Sequence, residues 1–187
     1  MRRSLGCTGV ACRGFWLSVK SGLPLIARTD ARLFILGSLP GDASLAAERY
    51  YAHPTNQFWR LLGEATGEEL QALSYDDRLK RLAERRIGLW DVIASARRPG
   101  SLDQAIRLAE HNRIERLMND FRDLEAIAFN GTTAATIGHR VIGRPPPGIT
   151  LLDLPSSSAA NTSAYATKLS AWARLAQFCT PDQNGGT

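Results

Sequence analysis

The apolar run Leu33-Phe34-Ile35-Leu36 closes into the turn Gly37-Ser38-Leu39-Pro40-Gly41, and chemistry is expected just after Leu36. The run reads as a buried strand, and in an open α/β sheet the ligand crevice lies outside the carboxyl ends of the strands. Further polar residues sit where such a crevice can use them. Tyr51, His53 and Asn56 share one short segment, Asn130 ends another apolar run, and Ser156, Ser157, Ser158 and Asn161 follow a third. No Lys lies in these segments, which argues against a Schiff-base nucleophile. There is no ligand cluster and no Gly-rich dinucleotide fingerprint, so neither a metal nor an organic cofactor is expected. An ester hydrolase built on Ser156–Ser158 would lack the GxSxG elbow and a His/acid pair.

Four apolar runs are expected as strands: Leu33–Leu36, Gly88–Ile93, Glu125–Phe129 and Ile149–Leu154. Amphipathic helical patterns lie between them, so the class is α/β, with a parallel sheet covered on both faces. Ser74 caps a helix with Asp76 and Asp77 in its first turn and Leu79, Leu82, Ala83 and Ile87 on one face. Ile114, Leu117, Met118, Phe121 and Leu124 repeat the helical pattern. A last helix from about Ser163 to Phe178 places Leu169, Trp172, Ala173 and Ala176 along one stripe.

The chain has 187 residues and a net charge of +5, with Lys only at positions 20, 80 and 168. Arg forms bidentate contacts with phosphate, so this balance favours a nucleic acid partner, although a GC-rich genome gives the same bias. Arg97, Arg98 and Arg144 are placed in loops as phosphate contacts, a reading that any solvated Arg shares. Cys7, Cys12 and Cys179 are an odd number without a CxxC pair, which speaks against a disulfide framework or a zinc site. No apolar run approaches the roughly 20 residues that span a bilayer. Residues 1–22 are expected as a loosely ordered N-terminal extension, or a misplaced start, and 179–187 as a flexible tail.

The first motif, followed by Tyr50-Tyr51-Ala52-His53-Pro54-Thr55-Asn56-Gln57-Phe58-Trp59, resembles the uracil-DNA glycosylase superfamily, and within it the hypoxanthine-DNA glycosylase branch. Arg86 to Val92, Ala128-Phe129-Asn130-Gly131 and Leu154 to Asn161 agree with it in order, and the resemblance runs from about Leu23 to Phe178. It implies a three-layer sandwich with a central four-stranded parallel sheet flanked by helices, a glycosylase domain over residues 23–178. It also implies an enzyme that hydrolyses the N-glycosidic bond of a deaminated base, hypoxanthine first and uracil second, and leaves an abasic site. The partner is then double-stranded DNA carrying the damaged base, met by a monomer in the cytoplasm at the nucleoid. Some relatives carry a four-cysteine iron–sulfur cluster, for which this chain lacks ligands.

The resemblance also implies roles for single residues. Where the superfamily often has Asp or Asn to position water, this chain has Leu39, and the hypoxanthine branch shifts that role to the Asn of HPxN, here Asn56. An amide is too weakly basic to take a proton at neutral pH, so Asn56 would orient water and stabilise charge; otherwise it caps the next helix. Asp42 is the second choice for activating water, or a turn residue. Tyr51 would stack on the flipped base and Asn130 would read its edge, unless Asn130-Gly131 is only a tight turn. Backbone N–H groups of Gly37, Ser38, Leu39, Pro40 and Gly41 (Pro40 itself having none) border the leaving base, and the Ser38 hydroxyl adds to them. Ser156, Ser157, Ser158 and Asn161 would grip the DNA backbone, or form a surface turn. His53 would orient a loop or contact a phosphate, or serve structure alone. A non-catalytic module of the same fold, binding DNA or damaged bases, is the alternative.

Overall fold

The computed structural model describes residues 19–179. In chain order the elements are β1 (Val19–Ser21), β2 (Leu33–Gly37), α1 (Asp42–Ala47), α2 (Phe58–Thr66), α3 (Tyr75–Glu84), β3 (Ile87–Asp91) and β4 (Ile93–Arg97). There follow β5 (Arg107–His111), α4 (Leu117–Asp120), β6 (Ala126–Asn130), α5 (Thr132–Ile142), β7 (Thr150–Leu154) and α6 (Tyr165–Trp172). Four strands form a parallel sheet in the order β3-β2-β6-β7. The central strand β2 is buried at every position, as expected for an apolar run covered on both faces.

Alternation along β2 divides the interior. Leu33 and Ile35 pack with Phe58, Leu61, Leu62 and Trp172 of α2 and α6, whereas Phe34 and Leu36 pack with Phe129 and with Ala134 and Ala135 of α5. Helices thus cover both faces, and the expected three-layer architecture is the one found. Gly138 of α5 permits its close approach, because a Cβ there would stand 2.1 Å from the Phe129 ring.

A second sheet was not anticipated. The strands β1, β4 and β5 pair antiparallel in the order β1-β4-β5. Its strands carry Ser95, Arg97, Arg107, Glu110 and His111, so they lack the apolar signature of the main sheet. β1 draws residues 19–21 out of the expected N-terminal extension, and Cys179 of the expected tail is buried. Residues 1–18 and 180–187 of those two segments, with Cys7 and Cys12, lie outside the described residues.

Two helix expectations are corrected as well. The pattern from Ile114 to Leu124 makes only a 3-10 turn and the four-residue α4, because Phe121 adopts extended backbone. Beyond Trp172 the last helix tightens to 3-10 geometry, which turns Leu175 inward and leaves Ala173 and Ala176 exposed. Ser74 caps α3 as expected, its hydroxyl accepting from the Asp77 N–H at 3.2 Å.

Candidate active site

Parallel pairing aligns the carboxyl ends of the four strands, so that Gly37 stands opposite Asp91 and Asn130 opposite Leu154. A cleft of about 450 Å³ opens there, within the usual range for a small-molecule site. It is lined by the 37–41 turn, Tyr51, Asn56, Asp91, Asn130 and the 156–161 loop. Four segments distant in sequence therefore meet at one sheet edge, as the motif order suggested.

The 37–41 turn is held from one side. The Gly37 and Ser38 carbonyls accept from Val92 N (2.8 Å) and Ile93 N (3.0 Å), and the Leu39 carbonyl from Arg98 Nη1 at 2.9 Å. Arg98 Nη2 donates to the Pro40 carbonyl. In a trans peptide the next N–H points opposite to the carbonyl, so the N–H groups of Ser38, Leu39 and Gly41 face away from these partners. Ser38 Oγ donates to Asp103 Oδ1 at 2.7 Å, which ties its hydroxyl to the wall. Leu39 is buried in the core and contributes a hydrocarbon surface.

Arg98 is thus a correction to the sequence reading. It follows β4 directly, is only 1% exposed and meets main-chain carbonyls, including that of Gly100 at 3.1 Å, so it braces the turn instead of meeting phosphate. Arg97 ends β4 in an exposed position, and Arg144 is exposed in a loop. Asp42 opens α1 with its carboxylate paired to Lys20, whose ammonium also donates to the Gly100 carbonyl at 2.7 Å.

Tyr51 and Asn56 are positioned by the start of α2. The Tyr51 ring stacks on Phe58 with centroids 3.6 Å apart and planes 7° apart, and its backbone is left-handed at φ 53. Strained backbone of this kind persists only where packing enforces it, here through the stack and the Ala52 N–H bond to Ser44 Oγ at 3.1 Å. Asn56 Oδ1 accepts from Phe58 N at 3.0 Å, so the amide serves the helix start and lines the cleft at once. His53 is exposed at the rim, where its Nδ1 meets Thr55 Oγ1 at 2.9 Å.

The Asn130 amide closes on the serine loop. Its Nδ2 donates to Ser157 Oγ at 2.9 Å and its Oδ1 accepts from Ser157 N at 2.8 Å. Ser157 is 1% exposed, so it locks the loop to β6 and is buried away from any DNA backbone; Ser156 and Ser158 remain partly exposed. Asn161 fixes the loop through Ser163 N (3.0 Å) and the Ser156 carbonyl (3.3 Å). Buried Lys168 donates to Gln57 Oε1 (3.0 Å) and to the carbonyls of Asn161 (2.7 Å) and Ser158 (3.4 Å).

The sequence reading missed Asp91. It ends β3 at the cleft, 3% exposed, and burial pushes its carboxyl up to about 7, with Asp103 adding to the rise and Tyr50 and Arg98 opposing it. A lone carboxylate closing the apolar strand within Arg86 to Val92 was the available signal. Its stability linkage has a definite sign. Below about pH 4 the carboxyl is protonated in both states; above it the unfolded chain ionises first, so stability falls until about pH 7 and is then level. Asp91→Asn is therefore expected to melt above the native protein at pH 8, by on the order of 4 kcal/mol, with the gap closing toward pH 4. Thermal melts of both proteins across that range check it; a gap independent of pH would refute the assignment.

Comparison with known proteins follows the same line. The family described as the uracil DNA glycosylase superfamily matches residues 24–177. A hypoxanthine DNA glycosylase of Methanosarcina barkeri is 39% identical over 154 residues, covering 82% of this chain and 96% of the relative. One from Methanosarcina acetivorans is 40% identical over the same shares. The solution NMR structure of a Methanosarcina acetivorans protein, provisionally described as a uracil DNA glycosylase, is similar with a TM-score of 0.76 at 38% identity. That similarity covers 86% of this chain and 99% of the other.

Proposed function

The chain belongs to the uracil-DNA glycosylase superfamily, and from that premise we infer that it is a DNA glycosylase excising a deaminated base, hypoxanthine before uracil. The observation that carries the reading is the cleft itself: it opens at the carboxyl ends of the parallel strands, has room for an extruded base, and is lined by the flat Tyr51 ring backed by Phe58. Such an enzyme extrudes the nucleotide from the duplex and holds its base in a pocket. Tyr51 stacks on the base, contributing roughly 1–3 kcal/mol without distinguishing one base from another. The N–H groups of the 37–41 turn hydrogen-bond the base as negative charge builds on it in the transition state, and Asn56 orients the water that attacks C1′.

The serine loop, with Ser156, Ser158 and the exposed Ala159 and Ala160, meets the DNA backbone, and Asn130 holds it there through Ser157. Lys168 is buried, lies outside the cleft lining and is engaged by three oxygens, so among the described residues no amine is free in the cleft to form a Schiff base and the reaction is hydrolysis by a monofunctional enzyme. We take it to act as a monomer on double-stranded DNA. No described helix is long and apolar enough to cross a membrane. We place the enzyme in the cytoplasm with the nucleoid.

Single-turnover reactions on duplexes carrying hypoxanthine, uracil or xanthine, scored as alkali-labile sites, test this. Release of hypoxanthine is expected, with uracil slower. Release of uracil alone moves the substrate, and binding without any release leaves a DNA-binding module.

A further inference from the structure

Two buried polar atoms at the floor of the cleft, Asp91 Oδ2 and the Tyr51 hydroxyl, make no hydrogen bond of standard geometry among the described residues, while Tyr50 bears on the Asp91 carboxyl and Asn130 on the Tyr51 hydroxyl from nearby. The Asp91 carboxyl and the Tyr51 hydroxyl both approach the bare backbone of Gly37. A Cβ built on Gly37 would stand 2.6 Å from Asp91 Oδ1 and 3.3 Å from the Tyr51 hydroxyl, so only glycine leaves room for both at the end of β2. Unpartnered buried polar atoms are few in folded proteins, and together at a cleft they point to a ligand that completes them.

We propose, building on the glycosylase reading, that Asp91 is the acid of the reaction: its protonated carboxyl donates to a ring nitrogen of the extruded purine and transfers the proton as the glycosidic bond breaks. The electron pair of the C1′–N bond goes to the base, the Asp91 proton goes with it, and the base leaves neutral. Water attacks C1′ and releases its proton to solvent, and the Asp91 carboxylate then takes a proton back. His53 and Asp103 also line the cleft, but His53 is exposed at the rim and Asp103 accepts from the Ser38 hydroxyl. Asn56 has no proton to give at neutral pH, and Asp42 is ion-paired to Lys20 at the rim.

The groups around Asp91 set its titration. Tyr50 and Tyr51 face it from the segment before α2, Arg98 from the end of β4 and Asp103 from the 3-10 turn that follows. The Tyr50 hydroxyl sits 3.2 Å from the carbonyls of Leu23 and Pro24. Burial is the largest influence and keeps the carboxyl protonated up to about pH 7.

The test is the single-turnover rate of hypoxanthine release from pH 6 to 9, for the native protein and Asp91→Asn. The native rate is expected to be level at low pH and to fall about tenfold per pH unit once the carboxyl ionises, at or above pH 7. Asp91→Asn is expected to be on the order of 10²-fold slower at pH 6.5 and to lose the descending limb. Its affinity for a duplex with an uncleavable 2′-fluoro deoxyinosine should stay within a few-fold of native. A native profile level to pH 9 overturns the proposal without any variant, as does native activity in Asp91→Asn. Absence of release from every duplex by the native protein is a different failure, that of the glycosylase reading itself.

Discussion

Asn56→Ala is expected to lower single-turnover base release by on the order of 10²–10³-fold, the usual effect of removing one preorganised polar group at a reacting centre. DNA binding should change little, because the group acts on water and on developing charge. The variant also loses a hydrogen bond, since Asn56 Oδ1 accepts from Phe58 N at the start of α2. Loss of such a side-chain-to-backbone hydrogen bond costs about 1 kcal/mol, or a melting shift of roughly 2–4 °C for a domain of this size. The two roles therefore separate by magnitude. Asn56→Asp keeps the acceptor and should restore the melting temperature, leaving activity to report on the amide alone. If Asn56→Ala released base at the native rate, Asn56 would fix the turn into α2 and nothing more.

Arg98→Met is expected to be the most damaging structural substitution at the site, lowering stability by about 2–6 kcal/mol, since each buried carbonyl left without its donor costs about 1–3 kcal/mol. Methionine fills much of the same volume but leaves the Leu39 and Pro40 carbonyls without their donors. The melting temperature should fall by roughly 10 °C. Base release should fall at least about tenfold even where the protein is fully folded, because the 37–41 turn is no longer held to one orientation. The neighbouring Arg97→Ala makes the contrast. That side chain is exposed, so its loss should leave the melting temperature unchanged and reduce the slope of DNA affinity against salt by about one. Equal melting temperatures for the two variants would remove the bracing role of Arg98.

Much of the site was legible before any coordinates. The 37–41 turn, Asn130 and the serine loop all line one cleft, because each follows a strand of a parallel sheet and parallel strands end on the same side; Tyr51 and Asn56 join them from the start of α2. The second sheet was not legible. Strands β4 and β5 are short and polar on one side, and their partners, including β1, are fixed by pairing across long stretches of chain.

By itself the sequence determined the class of the fold, the order of its four core strands' motifs and which segments meet at the cleft, since apolar runs and turn residues are local signals. Only the tertiary structure decided what each polar side chain does there. Adjacent Arg97 and Arg98 look alike as residues, yet one is exposed and the other is buried against carbonyls. Ser157 faces Asn130 and not the surface, and Asp91 is buried at the cleft beside Gly37. Burial and hydrogen-bond partners arise from segments far apart in the chain, and those are what set whether a charged group binds, braces or holds a proton.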